Sequence, residues 1–170
     1  MTADQARLIA LQFAGLMESE VPTTCKVLGA VKGDNRDYKP DPKSRTAWQL
    51  ATHIATSDAW FLDSIINGAF AFDPEAAKQA EAKLTSPADL VAFYKTEIPA
   101  RLAKIKALSD AHLTRDVDFF GMMKQPAVNF LGLANNHSVH HRGQLAAYLR
   151  PMGSSVPAIY GGSADEPMGM

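Results

Sequence analysis

Four long stretches of this 170-residue chain repeat apolar side chains at helical spacing, while none sustains the two-residue alternation of a strand. The first runs from about Ala3 to Ala30 through Leu8, Leu11 and Leu16 to Val27 and Leu28. Pro22 either kinks it or divides it into two helices in near-continuation. The second follows Ser44, a candidate N-cap, and repeats Leu50, Ile54, Phe61 and Ile65 before Asn67-Gly68 stops it. The third begins at Ser86-Pro87-Ala88-Asp89, where an N-cap serine precedes proline at the first helical position, and runs to about Ser109 with Pro99 bending or breaking it. The fourth opens at Pro126 and continues to Leu149 or Arg150, where Pro151 ends it.

These segments predict an all-α domain, a four-helix bundle over residues 1–150 with long irregular connections. Val31 to Lys43 reads as an ordered loop, and Glu75 to Lys83 as a helix of about two turns. Asp116-Val117-Asp118-Phe119 reads as a short extended piece too brief to imply a sheet. Residues 151–170, rich in Gly, Pro and Ser, form a tail packed on the same domain through Val156, Ile159 and Tyr160.

Composition narrows the partners. With 46% hydrophobic residues and a formal charge of −1, the chain can bury one core and has no global basic field for nucleic acid or an anionic membrane. Six basic residues between Lys26 and Arg45 face three aspartates, a solvated loop first and a rim for an anionic substrate second. The N-terminus lacks a signal-peptide pattern, and no apolar run is long enough to span a bilayer, so a cytoplasmic location is expected. Cys25 is alone, which excludes an intrachain disulfide or a Cys-based zinc site; it reads as a small buried side chain.

Histidines carry the remaining information. His137 and His141 stand four residues apart, about 40° apart around the helix axis, within the arc that Ala134, Leu145 and Tyr148 assign to the core. On the second helix, His53 shares a face with Leu50 and Trp60. Helices packed at about 8–10 Å allow imidazoles from both sides to meet one ion at about 2.0–2.1 Å per nitrogen. His140 sits at the edge of the arc beside Arg142 and suits solvent or a supporting role, and His112 suits a helix end or the surface. Spacing leaves two readings open: a three-histidine metal site, or a buried polar network of His53, His137 and His141 with Asn136, Gln144 or water.

The segments 42-PKSRTAWQLATHIA-55 and 136-NHSVHHRGQLAAYLRPMGSSVPAIYGGSADE-166 resemble the DinB-like family of bacterial proteins. The likeness extends in order over most of the chain and includes the His-x3-His-Arg-Gly-Gln run and the V-P-x-x-Y-G tail. It implies a four-helix bundle of DinB-like type, commonly a homodimer, with a divalent ion held by His53, His137 and His141. Zinc is expected there, with nickel, iron or manganese as alternatives.

Relatives with this fold include thiol-dependent S-transferases and isomerases, although fold alone assigns no substrate. The expected function is therefore a metal-dependent thiol transferase or hydrolase acting on a small electrophile, with a low-molecular-weight thiol as cosubstrate. Gln144, Trp60 and Asn136 are candidates for the surroundings of the ion or for the pocket wall. The alternative is a non-catalytic metal-binding module whose ion fastens the bundle and supports dimerisation. A bundle without metal, its histidines serving as core polar groups, is the third reading.

Overall fold

The structure, a computed structural model, describes residues 1–168. Four long helices form the frame: α1 (Ala3–Gly29), α2 (Ala47–Asn67), α4 (Pro87–Lys106) and α6 (Phe130–Leu149). The short helices α3 (Pro74–Ala82) and α5 (Asp110–Thr114) lie in the connections. Around the bundle, α1 packs on α4, α4 on α2, α2 on α6 and α6 back on α1. The consecutive helices α1 and α2 are therefore diagonal, as are α4 and α6, and each diagonal step must cross an end of the bundle.

Capping chemistry explains the boundaries. Thr2 with Gln5, Thr46 with Gln49 and Ser86 with Asp89 form reciprocal capping boxes at the starts of α1, α2 and α4. Thr46, rather than Ser44, begins the second helix, because Ser44 is held in the preceding turn by its N–H to the Asp41 carbonyl. At the other end of α2, Gly68 adopts φ 65°, and the Arg115 guanidinium caps its carbonyl oxygen.

Several sequence expectations shift. α1 is one helix with Pro22 inside it; the proline lies on the exposed side, while Met17, Val21, Thr24 and Val27 continue one buried stripe past it. Its leucines do not form that stripe: Leu8, Leu11 and Leu16 are exposed and Ala6, Ala10 and Ala14 are buried. Small side chains let α1 lie close to its neighbours, which helical spacing alone could not reveal. The third helix ends at Lys106, and Ser109 caps the separate α5.

A hairpin replaces the expected irregular stretch. β1 (Asp116–Phe119) pairs antiparallel with β2 (Met123–Pro126), with Val117 opposite Gln125. Phe120 and Gly121 turn the chain with positive φ of 53° and 73°. Only Val117 of β1 is fully buried, so the alternation is too short to read. Pro126 ends β2 instead of opening the fourth helix, which starts at Phe130 after a 3-10 turn at Ala127–Asn129.

The tail lies against the bundle. Lys26 pairs with Glu166 at 2.7 Å, Arg150 with Asp165 at 2.9 Å, and Val156 and Ile159 pack against the core. Tyr160 differs from expectation: its ring is largely exposed, and it meets the bundle at Arg142, through its hydroxyl and a face of the ring. Arg142 is in turn a buried side chain, not a solvent-facing neighbour of His140. Cys25 is half-buried, and burial raises its thiol pKa, so it stays the inert thiol the sequence suggests. Among the described residues, no helix is long and apolar enough to cross a membrane.

Candidate metal centre

The packing of α2 against α6 brings His53, His137 and His141 together. Ring centroids are 5.1 Å apart for His53 and His137, 4.7 Å for His53 and His141, and 4.4 Å for His137 and His141. One ring nitrogen from each lies within 4.8 Å of the other two. Tetrahedral zinc with bonds of about 2.0–2.1 Å separates its nitrogens by about 3.3 Å, so the three nitrogens would have to draw together to share an ion.

The Nδ1 atom of each ring faces a side-chain oxygen. Ser57 Oγ lies 2.8 Å from His53 Nδ1, and Gln144 Oε1 lies 3.0 Å from His141 Nδ1. A carbonyl oxygen only accepts, so His141 donates through Nδ1–H and leaves Nε2 as the bare nitrogen. Asp58 Oδ1 stands 3.9 Å from His137 Nδ1, and both of these buried atoms lack a hydrogen-bond partner. Ligating imidazoles commonly turn their second nitrogen to such an oxygen. The unsatisfied pair and the three nitrogen donors therefore fit a borderline divalent cation better than they fit a closed polar network.

Electrostatics favour neutral rings. Burial, reinforced by Arg45, His137 and His141, pushes His53 down to about 3. Burial also lowers His141, against the opposing effect of the hydrogen bond it donates to Gln144. An unfolded His53 takes up its proton near pH 6.5, whereas the native ring does so only near 3, so acid favours the unfolded chain. In metal-free protein the contribution of neutral His53 is complete above about pH 6.5 and is lost progressively toward 3. Chemical denaturation at pH 7 and pH 4 should show His53→Gln losing about 2 kcal/mol less than wild type over that interval, a figure reduced for the ring's partial exposure. Identical losses in the two proteins would contradict it.

Other sequence candidates fall elsewhere. Asn136 is exposed. Trp60 donates from Nε1 to the Ala71 carbonyl at 2.7 Å and sits among Phe61, Phe70, Phe72, Phe119 and Phe120. The aromatic ring beside His137 is Phe61, at 5.1 Å between centroids. His140 is exposed and lies 4.8 Å from the His141 ring, outside the converging group. His112 donates from Nε2 to the Ile65 carbonyl at 2.8 Å, tying α5 to the end of α2. Surface clefts of about 560 and 430 Å³ are lined without any of the three histidines.

Ser57, Asp58, Phe61, Tyr94 and Ser138 belong to the centre's surroundings although sequence reasoning passed over them. One signal was readable: the apolar stripe Leu50, Ile54, Phe61, Ile65 skips a turn, and the residue filling the gap is Asp58. A carboxylate in a core stripe needs partners. Asp58 Oδ2 finds two, accepting from Tyr94 Oη and Ser138 Oγ at 2.7 Å each. Burial and the adjacent Asp58 hold Tyr94 well above the ordinary tyrosine range, so its hydroxyl remains a donor.

A four-helix frame with three imidazoles from two adjoining helices defines a class of candidate metal-binding proteins. The chain belongs to the DinB family, whose family model matches residues 7–168. It is 30% identical over 132 residues to the uncharacterized protein YjoA of Bacillus subtilis (strain 168), covering 76% of this chain and 82% of that protein. The crystal structure of YjoA, described as a DinB-like protein, matches with a TM-score of 0.65 at 28% identity, over 85% of this chain and 94% of that one. A DinB-like protein from Bacillus cereus ATCC 10987 matches with a TM-score of 0.70 at 27% identity, over 87% and 95% respectively.

Proposed function

We propose that His53, His137 and His141 hold one divalent ion, zinc first and nickel, iron or manganese as alternatives. In this reading the centre promotes attack of a low-molecular-weight thiol, or of water, on a small electrophile. The observation that carries it is the convergence of three ring nitrogens within 4.8 Å while Nδ1 of each ring faces a side-chain oxygen. Among the described residues, no fourth His, Cys, Asp or Glu joins the group. Three protein ligands with an open position are the pattern of catalytic rather than closed structural sites.

When bound, the ion supplies a Lewis acid that lowers the pKa of a thiol or water entering the open position. The chain's own residues do the rest. Burial keeps His53 and His141 neutral, so their lone pairs are available near neutral pH. Ser57 and Gln144 fix ring orientation, and Phe61 covers one flank of His137 against water. Arg45, exposed and close enough to depress both histidines, adds positive charge that favours an anionic nucleophile or substrate. The outward strip of Leu8, Leu11 and Leu16 on α1 supports the homodimer implied by the family resemblance.

The test offers purified protein a panel of low-molecular-weight thiols with an alkyl halide or epoxide. Turnover that chelator abolishes and added metal restores is the expected result. Retained metal with no thiol-dependent or hydrolytic turnover across the panel overturns the catalytic reading. It leaves the alternative in which the ion fastens α2 to α6, the two helices that carry all three rings.

A further inference from the structure

We propose that Asp58 is the positioning residue of this centre: its buried carboxylate holds His137 with Nδ1 protonated, so that Nε2 faces the other two imidazoles. The inference rests on the metal reading above and adds a residue to it. Asp58 is fully buried on α2, and its two oxygens have different fates. Oδ2 is saturated by Tyr94 Oη from α4 and Ser138 Oγ from α6, each at 2.7 Å. Oδ1 has no hydrogen-bond partner and stands 3.9 Å from His137 Nδ1, which has none either.

A carboxylate serving only to tie three helices together has no need to aim its second oxygen at an imidazole. A buried donor and acceptor left opposed but unjoined each forgo a hydrogen bond, so the arrangement favours the ring rotation that brings them together. At 3.9 Å the contact is not yet a hydrogen bond, and closing it takes about 1 Å. The neighbours repeat the logic. Ser57, beside Asp58, faces His53 Nδ1, while Ser138, beside His137, anchors the same carboxylate. Two adjacent residues of α2 thus serve two histidines on different helices, and Tyr94 extends the support to α4.

The experiment uses Asp58→Asn and Co2+ as the probe. Asparagine keeps the shape, but with its oxygen toward Tyr94 and Ser138 its amide nitrogen would donate to His137 Nδ1 and select the opposite tautomer. Co2+ affinity is expected to fall about 10–100-fold, with a changed visible spectrum. In metal-free wild type, the imidazole 15N shifts of His137, assigned by their loss in His137→Gln, should report a protonated Nδ1. This measurement needs no folded Asp58 variant. Wild-type Co2+ affinity and spectrum in Asp58→Asn, or Nε2 protonation at His137 in the wild type, overturns the proposal. Wild-type protein that takes up no Co2+ overturns the metal centre itself, and is distinguishable because the failure does not depend on Asp58.

Discussion

Replacing His137 with alanine is expected to weaken divalent-metal binding by more than ~100-fold, because removing a ligand costs more than the 10–100-fold typical of a residue that only orients one. His137 is central to the group: its ring is 5.1 Å from His53 and 4.4 Å from His141, and it is the ring that Asp58 and Phe61 address. Without it two imidazoles remain, one on each helix. His140→Ala provides the control. That ring is exposed and outside the converging set, so its loss should change affinity by less than about threefold, under ~0.7 kcal/mol. Competition titration with a chromophoric chelator measures both. Equal affinities in wild type and His137→Ala would mean that the ion, if bound, sits elsewhere.

Arg142→Ala is expected to destabilise the fold by about 3 kcal/mol, a fall in Tm of roughly 6–12 °C for a domain of this size. The guanidinium is 1% exposed, between α6 and α1. It donates to Glu20, to Thr24 Oγ1 at 3.1 Å and to the Tyr160 hydroxyl, and lies 5.1 Å from the centroid of the Tyr160 ring. Alanine leaves a cavity and deprives the buried Thr24 of this donor, while Glu20, with 23% of its side chain exposed, recovers part of its loss from water. The tail loses its inward anchor at Tyr160, so proteolysis should open it first. Arg150→Ala, removing an exposed pair with Asp165, should cost under about 1 kcal/mol. Thermal and chemical denaturation decide the matter; equal, small effects of the two substitutions would contradict the buried role of Arg142.

The helical architecture was legible because its signals are local. The Ser86 cap with Pro87 at the start of α4 and the stripe of α2 announce helices without knowledge of what they touch, whereas Ser44 and Pro126 mark turns just ahead of theirs. His53, His137 and His141 were legible as a set because two lie one turn apart and the third lies on an apolar face. What stayed hidden depends on contacts distant in sequence. Ala6, Ala10 and Ala14, rather than the larger Leu8, Leu11 and Leu16, face the core because close helix approach decides the matter. Arg142 reads as a surface charge until Glu20 and Tyr160 are placed beside it. The β1–β2 hairpin buries too little for its alternation to stand out. Asp58 was half visible: the skipped turn in the α2 stripe marks it, but only the fold supplies Tyr94, Ser138 and His137 as its neighbours.

The most direct test of the three-histidine centre is elemental analysis of untagged protein purified without chelator. About one divalent ion per chain is expected, lost in the His53→Ala and His137→Ala variants. Protein that carries no ion, takes none up on dialysis against Zn2+, and melts at the same temperature with and without chelator would contradict the account.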